Sequence, residues 1–386
     1  MDKVIHDYCV GCGLCQSLEK AELVEDKKGY MSPVTGDRKW LYDVCPAGGS
    51  QCRNMDFEHI WGRTESVYYA WSFDPILRKK ASSGGALTEI ASYLLESHRV
   101  DAVLHTCAAN EDPTKTVVCI STTRDELIAR SGSRYAISRP LSMIANLDDK
   151  KKYAFIGKPC DVTALKNYQR INPDAAQMIT ITLSFFCAGL PSQDAQVKLI
   201  REMGCDGKIK SLRYRGDGWP GYATATQYDG KVFKMDYNTS WGQILGRDIM
   251  KMCRFCLDGI GEMADISCCD AWYLTNDNKP DFSEADGRNA VFCRSKLGEQ
   301  IIKECSQSGK LVVSDFPDYE DKLQYMQFYQ RDRRATMFAK YLAMKLCFKP
   351  FPRYTIKVLK YQKDISLMRR LKILKGTIER VLKGKI

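Results

Sequence analysis

The stretch Cys9-Val-Gly-Cys12-Gly-Leu-Cys15 places three cysteines at C-x2-C-x2-C spacing on one short loop. Its two glycines allow backbone conformations in which amide groups face sulfur. Zinc sites also use cysteine pairs two residues apart, but a third cysteine at the same spacing is unusual for them. The stretch therefore predicts an iron–sulfur cluster, with a zinc knuckle or a set of buried thiols as the alternatives.

A four-iron cluster needs a fourth thiolate, and the next Cys-Pro pair along the chain is Cys45-Pro46. A proline directly after the ligand turns the chain away from the cluster, as in ferredoxins. Cys52 is the reserve candidate. Residues 1–60 are thus expected to form a ferredoxin-like module with a [4Fe-4S] cluster held by Cys9, Cys12, Cys15 and Cys45, and with a hairpin turn at residues 27–30.

Length and composition favour a globular protein. The chain has 386 residues, of which 44% are hydrophobic and 27% charged, so disordered and fibrous classes are excluded. This length exceeds the usual single core, so one large domain with appendages, or two domains, is expected. The 17 cysteines, with no secretory signal at the N-terminus, indicate a reducing cytoplasm in which clustered cysteines bind metal and scattered ones fill the core. No stretch reaches membrane-spanning length.

Positive charge is concentrated at the C-terminus. The net charge is +11, and residues 331–386 contain 17 Lys and Arg against 3 Asp and Glu. Apolar residues alternate with these basic residues over 353–386, which predicts a basic amphipathic helix. Such a helix can lie on the anionic inner face of the cell membrane, or pack on the protein's own core with a solvated basic face. Nucleic acid is not expected, because no recognition motif accompanies the charge.

Between these segments, apolar runs of strand length alternate with helical periodicity, which is typical of α/β proteins. The expected fold class is α/β, with an α+β core, an N-terminal ferredoxin-like iron–sulfur module and a helical basic C-terminal tail. The expected domains are 1–60, 61–310 and 311–386. Strands are predicted at 66–71, 102–105, 117–120, 153–156, 179–186, 264–270 and 288–294, the last of the core, and helices after residue 85, from 125, after 140 and over 192–203.

A second set of cysteines lies in the core. The strands at 153–156 and 179–186 run into Cys160 and Cys187, and Cys253-Arg-Phe-Cys256 adds a C-x2-C pair. In a parallel sheet the carboxyl ends of strands meet at the ligand-binding edge, so these four thiols can converge on a second cluster. The alternative is that the C-x2-C pair binds zinc or pairs alone while the other two cysteines are buried.

Two loops suit a phosphate-containing ligand. Ser82-Ser83-Gly84-Gly85 precedes a predicted helix and offers hydroxyls and backbone amides at its N-terminus, although simple helix capping by serine explains it equally. The loop 131–138, with Arg134 and Tyr135, supplies the cationic and aromatic contacts that a flavin dinucleotide needs, or is a solvated turn.

Taken in order, these motifs resemble the beta-subunit family of deazaflavin (coenzyme F420) hydrogenases and dehydrogenases over about residues 1–305. Hydroxymethyl-chlorophyll reductase shares the same plan. The motifs that carry the resemblance are Cys9 to Cys15, the Ser-Ser-Gly-Gly element, Gly-Ser-Arg-Tyr135, Gly-Lys-Pro-Cys160, Phe-Cys187-Ala-Gly, Cys253-x-x-Cys256 and Ala-Asp-Ile-Ser-x-x-Asp270.

The resemblance implies an FAD protein with two [4Fe-4S] clusters, which pass single electrons to a flavin that exchanges a hydride with an organic partner. By motif, FAD would contact Ser82, Ser83, Gly84, Gly85, Ser133, Arg134, Tyr135, Ser138, Gly157 and Lys158. The cluster near it would bind Cys160, Cys187, Cys253 and Cys256. Many members have glycine where this chain has Cys268-Cys269 and lysine where it has Arg134, so Cys268 and Cys269 are alternative ligands.

The expected function is that of a reductase. A one-electron donor such as ferredoxin would feed the clusters, and the flavin would reduce a small organic acceptor, such as deazaflavin or a surface-polysaccharide precursor. Tyr135, Lys158, Arg215 and Asp270 are the candidates for proton donors or anion contacts on the substrate side. The alternatives are an electron-transfer beta subunit of a hydrogenase or dehydrogenase complex without its own substrate, and a zinc-stabilised binding protein.

Overall fold

The computed structural model of the chain describes residues 2–49, 55–174, 177–352, 356–363, 365–384 and 386. The strands are β1 Ala21–Glu25, β2 Met31–Gly36, β3 Ser66–Ser72, β4 Ala102–Ala108, β5 Thr116–Ser121, β6 Tyr153–Ile156, β7 Ile179–Phe185, β8 Ile209–Arg213, β9 Tyr222–Gln227, β10 Val232–Asp236, β11 Ile266–Asp270, β12 Asn289–Cys293 and β13 Leu311–Asp315. The helices are α1 Lys3–Asp7, α2 Leu14–Ser17, α3 Arg38–Val44, α4 Pro75–Lys80, α5 Ala86–Glu96, α6 Arg124–Arg130, α7 Pro159–Ile171, α8 Gln193–Glu202, α9 Lys251–Arg254, α10 Lys296–Gln307, α11 Tyr319–Met326, α12 Phe328–Ala335, α13 Met337–Leu346 and α14 Leu367–Leu382.

An eight-stranded mixed sheet, in the order β13-β3-β12-β11-β7-β6-β4-β5, forms the centre of the fold. Its middle strands β4, β6, β7 and β11 are parallel to one another, and the remaining pairs are antiparallel. Parallel strands are buried on both faces, which explains why β6 is an unbroken apolar run. The predicted α/β class is confirmed.

Helices cover both faces of this sheet. Adjacent residues of β6 face opposite sides, so Ala154 joins the core beneath α5 and α10 while Phe155 joins the core beneath α7. The N-terminal segment packs on the α7 side, where the Asn167 side chain donates a hydrogen bond to the Val44 carbonyl at 3.3 Å. The N-terminal segment therefore lies on the face of the sheet that α7 covers.

The N-terminal segment consists of the hairpin β1-β2 with three short helices. Gly29 occupies the hairpin turn with φ +84°, a conformation that favours glycine, so the predicted turn is confirmed. The strands β8 to β10 form a separate three-stranded sheet in the order β10-β9-β8.

Two predictions about elements are wrong. The segment 141–152, directly after Pro140, forms no α-helix and contains only a 3₁₀ turn at Ile144–Asn146. The reason is that this segment packs on the first cysteine loop, where the Leu141 amide donates to the Cys12 carbonyl at 2.9 Å. The strand β12 is not the last of the core, because β13 pairs with the outer side of β3.

The C-terminal helices pack on the α7 side of the molecule. The tail helix α14 begins at the N-cap Ser366 and contacts α13, with Thr377 and Val381 buried. Met368, by contrast, is 79% exposed, and Leu367, Leu371 and Leu382 on the same helix are also exposed. No helix among the described residues is both long and apolar enough to cross a membrane. The predicted domain limits at residues 60 and 310 stay a prediction.

Candidate functional site

The first cysteine set surrounds a small enclosed space. Cys9, Cys12, Cys15 and Cys45 together line a cavity of about 20 Å³ between α2 and α3. The Gly11 amide, in a left-handed turn at φ +67°, donates a hydrogen bond to the Cys9 sulfur at 3.4 Å. The loop thus has the amide-to-sulfur geometry that its glycines predicted.

Burial makes these thiols hard to ionise without a compensating positive charge. Burial is the main cause that raises the pKa of all four thiols, to about 12 in Cys45. Neighbouring thiols of the set raise the pKa of Cys9 and Cys12 further, because like charges would approach one another. A metal centre supplies the charge that such thiolates need.

The second cysteine set is brought together from three parts of the chain. Cys160 lies in the first turn of α7, Cys187 follows β7, and Cys253 and Cys256 lie in and just after α9. Cys187 and Cys256 act electrostatically on both other thiols of the set, and burial raises the pKa of Cys160, Cys187 and Cys253, to about 12 in Cys253. The Leu190 amide donates a hydrogen bond to the Cys253 sulfur at 3.3 Å.

The alternative ligands lie elsewhere. Cys268 and Cys269 are consecutive in β11 and therefore face opposite sides of the sheet, Cys268 in the core beneath α5 and Cys269 in a core with Trp272. The thiol that acts on Cys268 is Cys293 of the neighbouring strand. Cys52 falls outside the described residues.

In the part of the chain that the structure describes, no group of three or more His, Cys, Asp or Glu side chains is placed so that it could hold a metal ion. A single zinc ion requires its donors at about 2.0–2.3 Å from one point. In an iron–sulfur cluster each thiolate binds a different iron, so the sulfurs need not converge on one point. The argument for a cluster remains the C-x2-C-x2-C spacing of the first set.

The two sets lie on either side of one helical turn. Cys160, at the start of α7, belongs to the second set, and Ala164, four residues later, lines the cavity of the first set. Four residues of α-helix correspond to a rise of about 6 Å. The two sets are therefore close neighbours across the first turn of α7.

A cavity of about 800 Å³ opens beside the second set. All four predicted substrate-side residues line it, as does Cys187. Of the predicted FAD contacts, the lining includes Ser82, Ser83, Gly85, Ser133, Arg134, Tyr135, Ser138, Gly157 and Lys158. Gly84 lies just behind the wall, and a side chain there would meet the Arg288 backbone, since an added Cβ would lie 2.8 Å from its Cα.

The N-terminus of α5 is capped by a distant side chain and not by a serine, because Asn289 Oδ1 accepts from the Ala86 amide at 3.3 Å. The N-cap residue is Gly85, at φ +77°, and neither serine accepts from the helix. Ser82 Oγ instead accepts from the Ser133 amide at 2.8 Å, and Ser83 Oγ donates to the Arg288 carbonyl at 3.2 Å. Ser82 thus joins the two predicted loops, and the first turn of α5 lines the cavity.

Arg134 lines the cavity, but its guanidinium is already occupied. Nη2 donates to the carbonyls of Pro113 and Lys115 at 2.9 Å each, Nη1 to Leu212 at 3.2 Å, and Nε to the Thr116 hydroxyl at 3.2 Å. The structure therefore gives Arg134 a part in tying the loop to β5 and β8. Sequence alone could not show this, because its partners are backbone carbonyls distant in the chain.

Arg215 and Asp270 form a closed ion pair in the cavity wall. Two parallel hydrogen bonds of 2.8 Å join the guanidinium to both carboxylate oxygens, and Trp219 Nε1 donates to the same carboxylate at 2.9 Å. The guanidinium lies over two neighbouring rings, those of Tyr237 and Trp272, at 4.8 and 4.9 Å from their centroids. Burial lowers the pKa of Arg215, but the charge of Asp270 outweighs it and the net pKa is raised.

Tyr135 lies in an aromatic cluster at the cavity wall. Its ring centroid is 4.6 Å from that of Trp241 and 5.7 Å from that of Tyr214. These aromatic faces can stack on a planar ring system.

Three sets of residues at the site could not be identified from the sequence. Asp161 forms a buried pair with Lys158, His105 lies buried at the cavity wall, and Gln330 and Arg333 of α12 donate to the Cys187 carbonyl at 3.0 Å each. The position of Asp161, three residues after the N-cap of a helix, was the one available signal. The other contacts join elements that are far apart in the chain.

The sequence of the chain matches two models of one protein family. Residues 67–145 match the family model for the N-terminal region of coenzyme F420 hydrogenase/dehydrogenase beta subunits, and residues 150–319 match the model for their C-terminal region. The two matches follow one another with a gap of a few residues and cover most of the chain. The chain therefore belongs to the coenzyme F420 hydrogenase/dehydrogenase beta-subunit family, as its motifs predicted.

Individual relatives are distant. The chain is 24% identical over 277 residues to the coenzyme F420 hydrogenase subunit beta of Methanococcus voltae, covering 69% of this chain and 90% of that one. It is 21% identical over 324 residues to the coenzyme F420-dependent sulfite reductase of Methanocaldococcus jannaschii, of which it spans 45%. A chain in the solved F420-reducing [NiFe] hydrogenase complex of Methanosarcina barkeri shares the fold, with a TM-score of 0.58, 19% identity, and coverage of 76% of this chain and 97% of that one. The relatives are oxidoreductases or their subunits. Kinship with hydroxymethyl-chlorophyll reductase stays a prediction.

Proposed function

We propose that the chain is an iron–sulfur flavoprotein oxidoreductase that carries two [4Fe-4S] clusters and one FAD. The first cluster would bind Cys9, Cys12, Cys15 and Cys45, and the second Cys160, Cys187, Cys253 and Cys256. A one-electron donor such as ferredoxin would reduce the first cluster, and a small organic acceptor would be reduced in the large cavity. Family membership supports the oxidoreductase class.

The observation that carries this proposal is the sequence of sites along α7. Within α7, Ala164 lines the cavity of the first cysteine set, and Cys160, one turn earlier, belongs to the second set. Cys187 of the second set lines the large cavity, so the three sites are adjacent in this order. Electron transfer between centres needs such short steps. A flavin would supply the conversion between one-electron and two-electron chemistry at the end of this series.

The residues present fit a flavin dinucleotide. A volume of about 800 Å³ is within the range of cofactor sites, and residues 85–88 at the N-terminus of α5 line the cavity, where a helix N-terminus suits a pyrophosphate. The aromatic cluster around Tyr135 suits a planar ring. Because Arg134 is occupied, we assign the phosphates to backbone amides of the two serine-containing loops.

The Arg215–Asp270 pair gives the substrate side a fixed polar wall. Both carboxylate oxygens of Asp270 accept hydrogen bonds, so its role is to hold the guanidinium against the aromatic rings. Lys158 has an ammonium group at the cavity and is the proton donor or anion contact that we retain from the sequence prediction. We propose coenzyme F420 as the first acceptor to test, because the relatives are named for it; a surface-polysaccharide precursor is the other.

Chemical analysis of anaerobically purified protein tests the cofactor content. We expect about eight iron and eight sulfide per chain, as two four-iron clusters require, and one flavin released as FAD. Zinc without sulfide would contradict the proposal and support a zinc-stabilised binding protein.

The second candidate is an electron-transfer subunit without its own substrate, docked on a hydrogenase or dehydrogenase partner. The relatives named as beta subunits favour it. Anaerobic assay of the isolated chain with reduced methyl viologen, against coenzyme F420, quinones and nucleotide sugars, separates the two. Turnover of an acceptor by the isolated chain supports the enzyme, and cofactor reduction without turnover supports the electron-transfer role.

A further inference from the structure

The tail helix α14 buries only one side of itself against the protein. It contacts α13 and buries Thr377 and Val381, which lie one turn apart. Nine residues of α-helix make two and a half turns, so Met368 points away from Thr377. Lys372 stands in the same relation to Val381, and both Met368 and Lys372 are exposed. The side of α14 opposite the buried residues therefore faces away from the protein.

The exposed side of α14 carries apolar residues from the first residue of the helix to the last. Leu371 and Leu382 are eleven residues apart, which is close to three turns, so they lie on the same side of the helix. Both are exposed, Leu382 at 78%, and so is Leu367, one turn before Leu371. On and just after the neighbouring helix α13, Leu346 and Phe348 are also exposed, Phe348 at 95%. Exposed apolar residues concentrated in this way mark an interaction surface.

The same side of α14 is positively charged. The helix Leu367–Leu382 contains five Lys and Arg residues and one acidic residue, Glu379. Lys372 and Lys375 are exposed, and no carboxylate in the part of the chain that the structure describes pairs with either. Lys375 comes four residues after Leu371 and seven before Leu382, so it lies among the exposed leucines. Apolar side chains and unpaired cations thus share one surface.

A lipid bilayer fits this combination better than another protein does. The core of a protein–protein interface is depleted in lysine, because burial of an ammonium group without a carboxylate partner is costly. At a bilayer surface, the methylene stem of a lysine lies along apolar groups while its ammonium stays among the headgroups. Anionic headgroups supply the negative charge that the exposed lysines of α14 lack.

We propose that α14 docks on the surface of a bilayer that contains anionic lipids. Leu371 and Leu382 enter the headgroup region, and Lys375 contacts the lipid phosphates. This docking goes beyond the proposed function and does not depend on the clusters or the flavin, so either can fail without the other.

Co-sedimentation of the full chain, purified anaerobically, with vesicles tests the docking. One vesicle preparation contains equal parts of phosphatidylglycerol and phosphatidylcholine, and the other contains phosphatidylcholine alone. We expect the wild type to sediment with the anionic vesicles only, and high salt to release it because salt screens charges at a surface. Equal sedimentation with both preparations, or with neither, would overturn the proposal.

Two variants separate the apolar contribution from the charged one. Leu371→Glu places a carboxylate on the apolar side and should abolish sedimentation with anionic vesicles. The double variant Lys372→Gln/Lys375→Gln keeps the apolar side and should lower the partition coefficient about 25-fold, from about fivefold for each lysine near the surface. All three side chains are exposed, so both proteins should keep the circular dichroism and iron content of the wild type. Unchanged partition of both variants would refute the docking.

Matched controls place the same changes elsewhere. Ile76→Glu alters an apolar residue of α4 that is 76% exposed, and Lys150→Gln/Lys151→Gln removes two exposed lysines in the loop before β6. Both should sediment like the wild type, and an equal loss in the controls would refute a role specific to α14. Sedimentation velocity without vesicles tests the remaining occupant. A wild type that dimerises and a Leu371→Glu protein that stays monomeric would assign the surface to a second copy of the chain and overturn the lipid docking.

Discussion

Acidification should destabilise this protein through one buried histidine. His105 lies in β4 with 6% of its surface exposed, and its Nε2 is 2.8 Å from the Ser121 hydroxyl. Burial is the main cause that lowers its pKa from the usual 6.5 to about 4. The ring therefore takes up a proton only near pH 4 in the folded protein, whereas in the unfolded chain it takes up a proton near pH 6.5.

The sign and size follow from that difference. Above pH 6.5 the ring is neutral in both states and costs nothing. Between pH 6.5 and pH 4 only the unfolded chain gains the proton, so stability falls as pH falls. A difference of 2.5 pKa units corresponds to about 3 kcal/mol at 1.36 kcal/mol per unit, all of it lost by about pH 4.

The assay compares the wild type with His105→Gln. Anaerobic urea unfolding, followed by tryptophan fluorescence, gives the free energy of unfolding at several pH values from 7 to 4.5. Carboxylates titrate in both proteins, so the difference between the two curves isolates the histidine. We expect the wild type to lose about 2 kcal/mol relative to the variant across this range. A difference that stays constant with pH would refute the reasoning.

Three further predictions concern the cysteines, the ion pair and the tail. Cys253→Ser should lose the iron of the second cluster and keep bound FAD, while Cys268→Ser should change neither; iron analysis and flavin absorbance check this, and a silent Cys253→Ser would contradict the ligand assignment. Asp270→Asn leaves the Arg215 guanidinium buried without its counter-charge and should cost about 3–5 kcal/mol in urea unfolding, so a loss below about 1 kcal/mol would mean that the pair is solvated. Met368→Glu removes an exposed apolar residue of α14 and should reduce co-sedimentation with anionic liposomes at unchanged iron and FAD content; equal sedimentation of both proteins would favour a helix that only packs on the protein.

The sequence was most informative where chemistry and topology coincide. A C-x2-C-x2-C loop has few uses, and the carboxyl ends of parallel strands meet at one edge, so the convergence of Cys160 and Cys187 could be predicted without coordinates. The structure does bring these thiols together. The class of the fold followed from the same alternation of strands and helices.

Predictions failed where a distant contact decides the local structure. The segment after Pro140 has residues compatible with a helix, but its backbone pairs with the Cys12 loop instead. The role of Asp161 could not be predicted for the same reason: its sequence position indicates a helix cap, and only packing shows that it is fully buried beside Lys158 at the cavity. The sequence favours a cofactor contact for Arg134, because the backbone carbonyls that its guanidinium binds are about twenty or more residues away and cannot be inferred from the sequence.

The hydrogen bonds from α12 to the Cys187 carbonyl join a helix outside the family match to a loop inside it. The family match ends at residue 319, yet the donors, Gln330 and Arg333, lie beyond it. This chain therefore uses a helix outside the matched region to hold a loop inside it. A transplant of the shared portion into another protein would need the helix to travel with it, and a relative with a different continuation must hold the corresponding loop by other means.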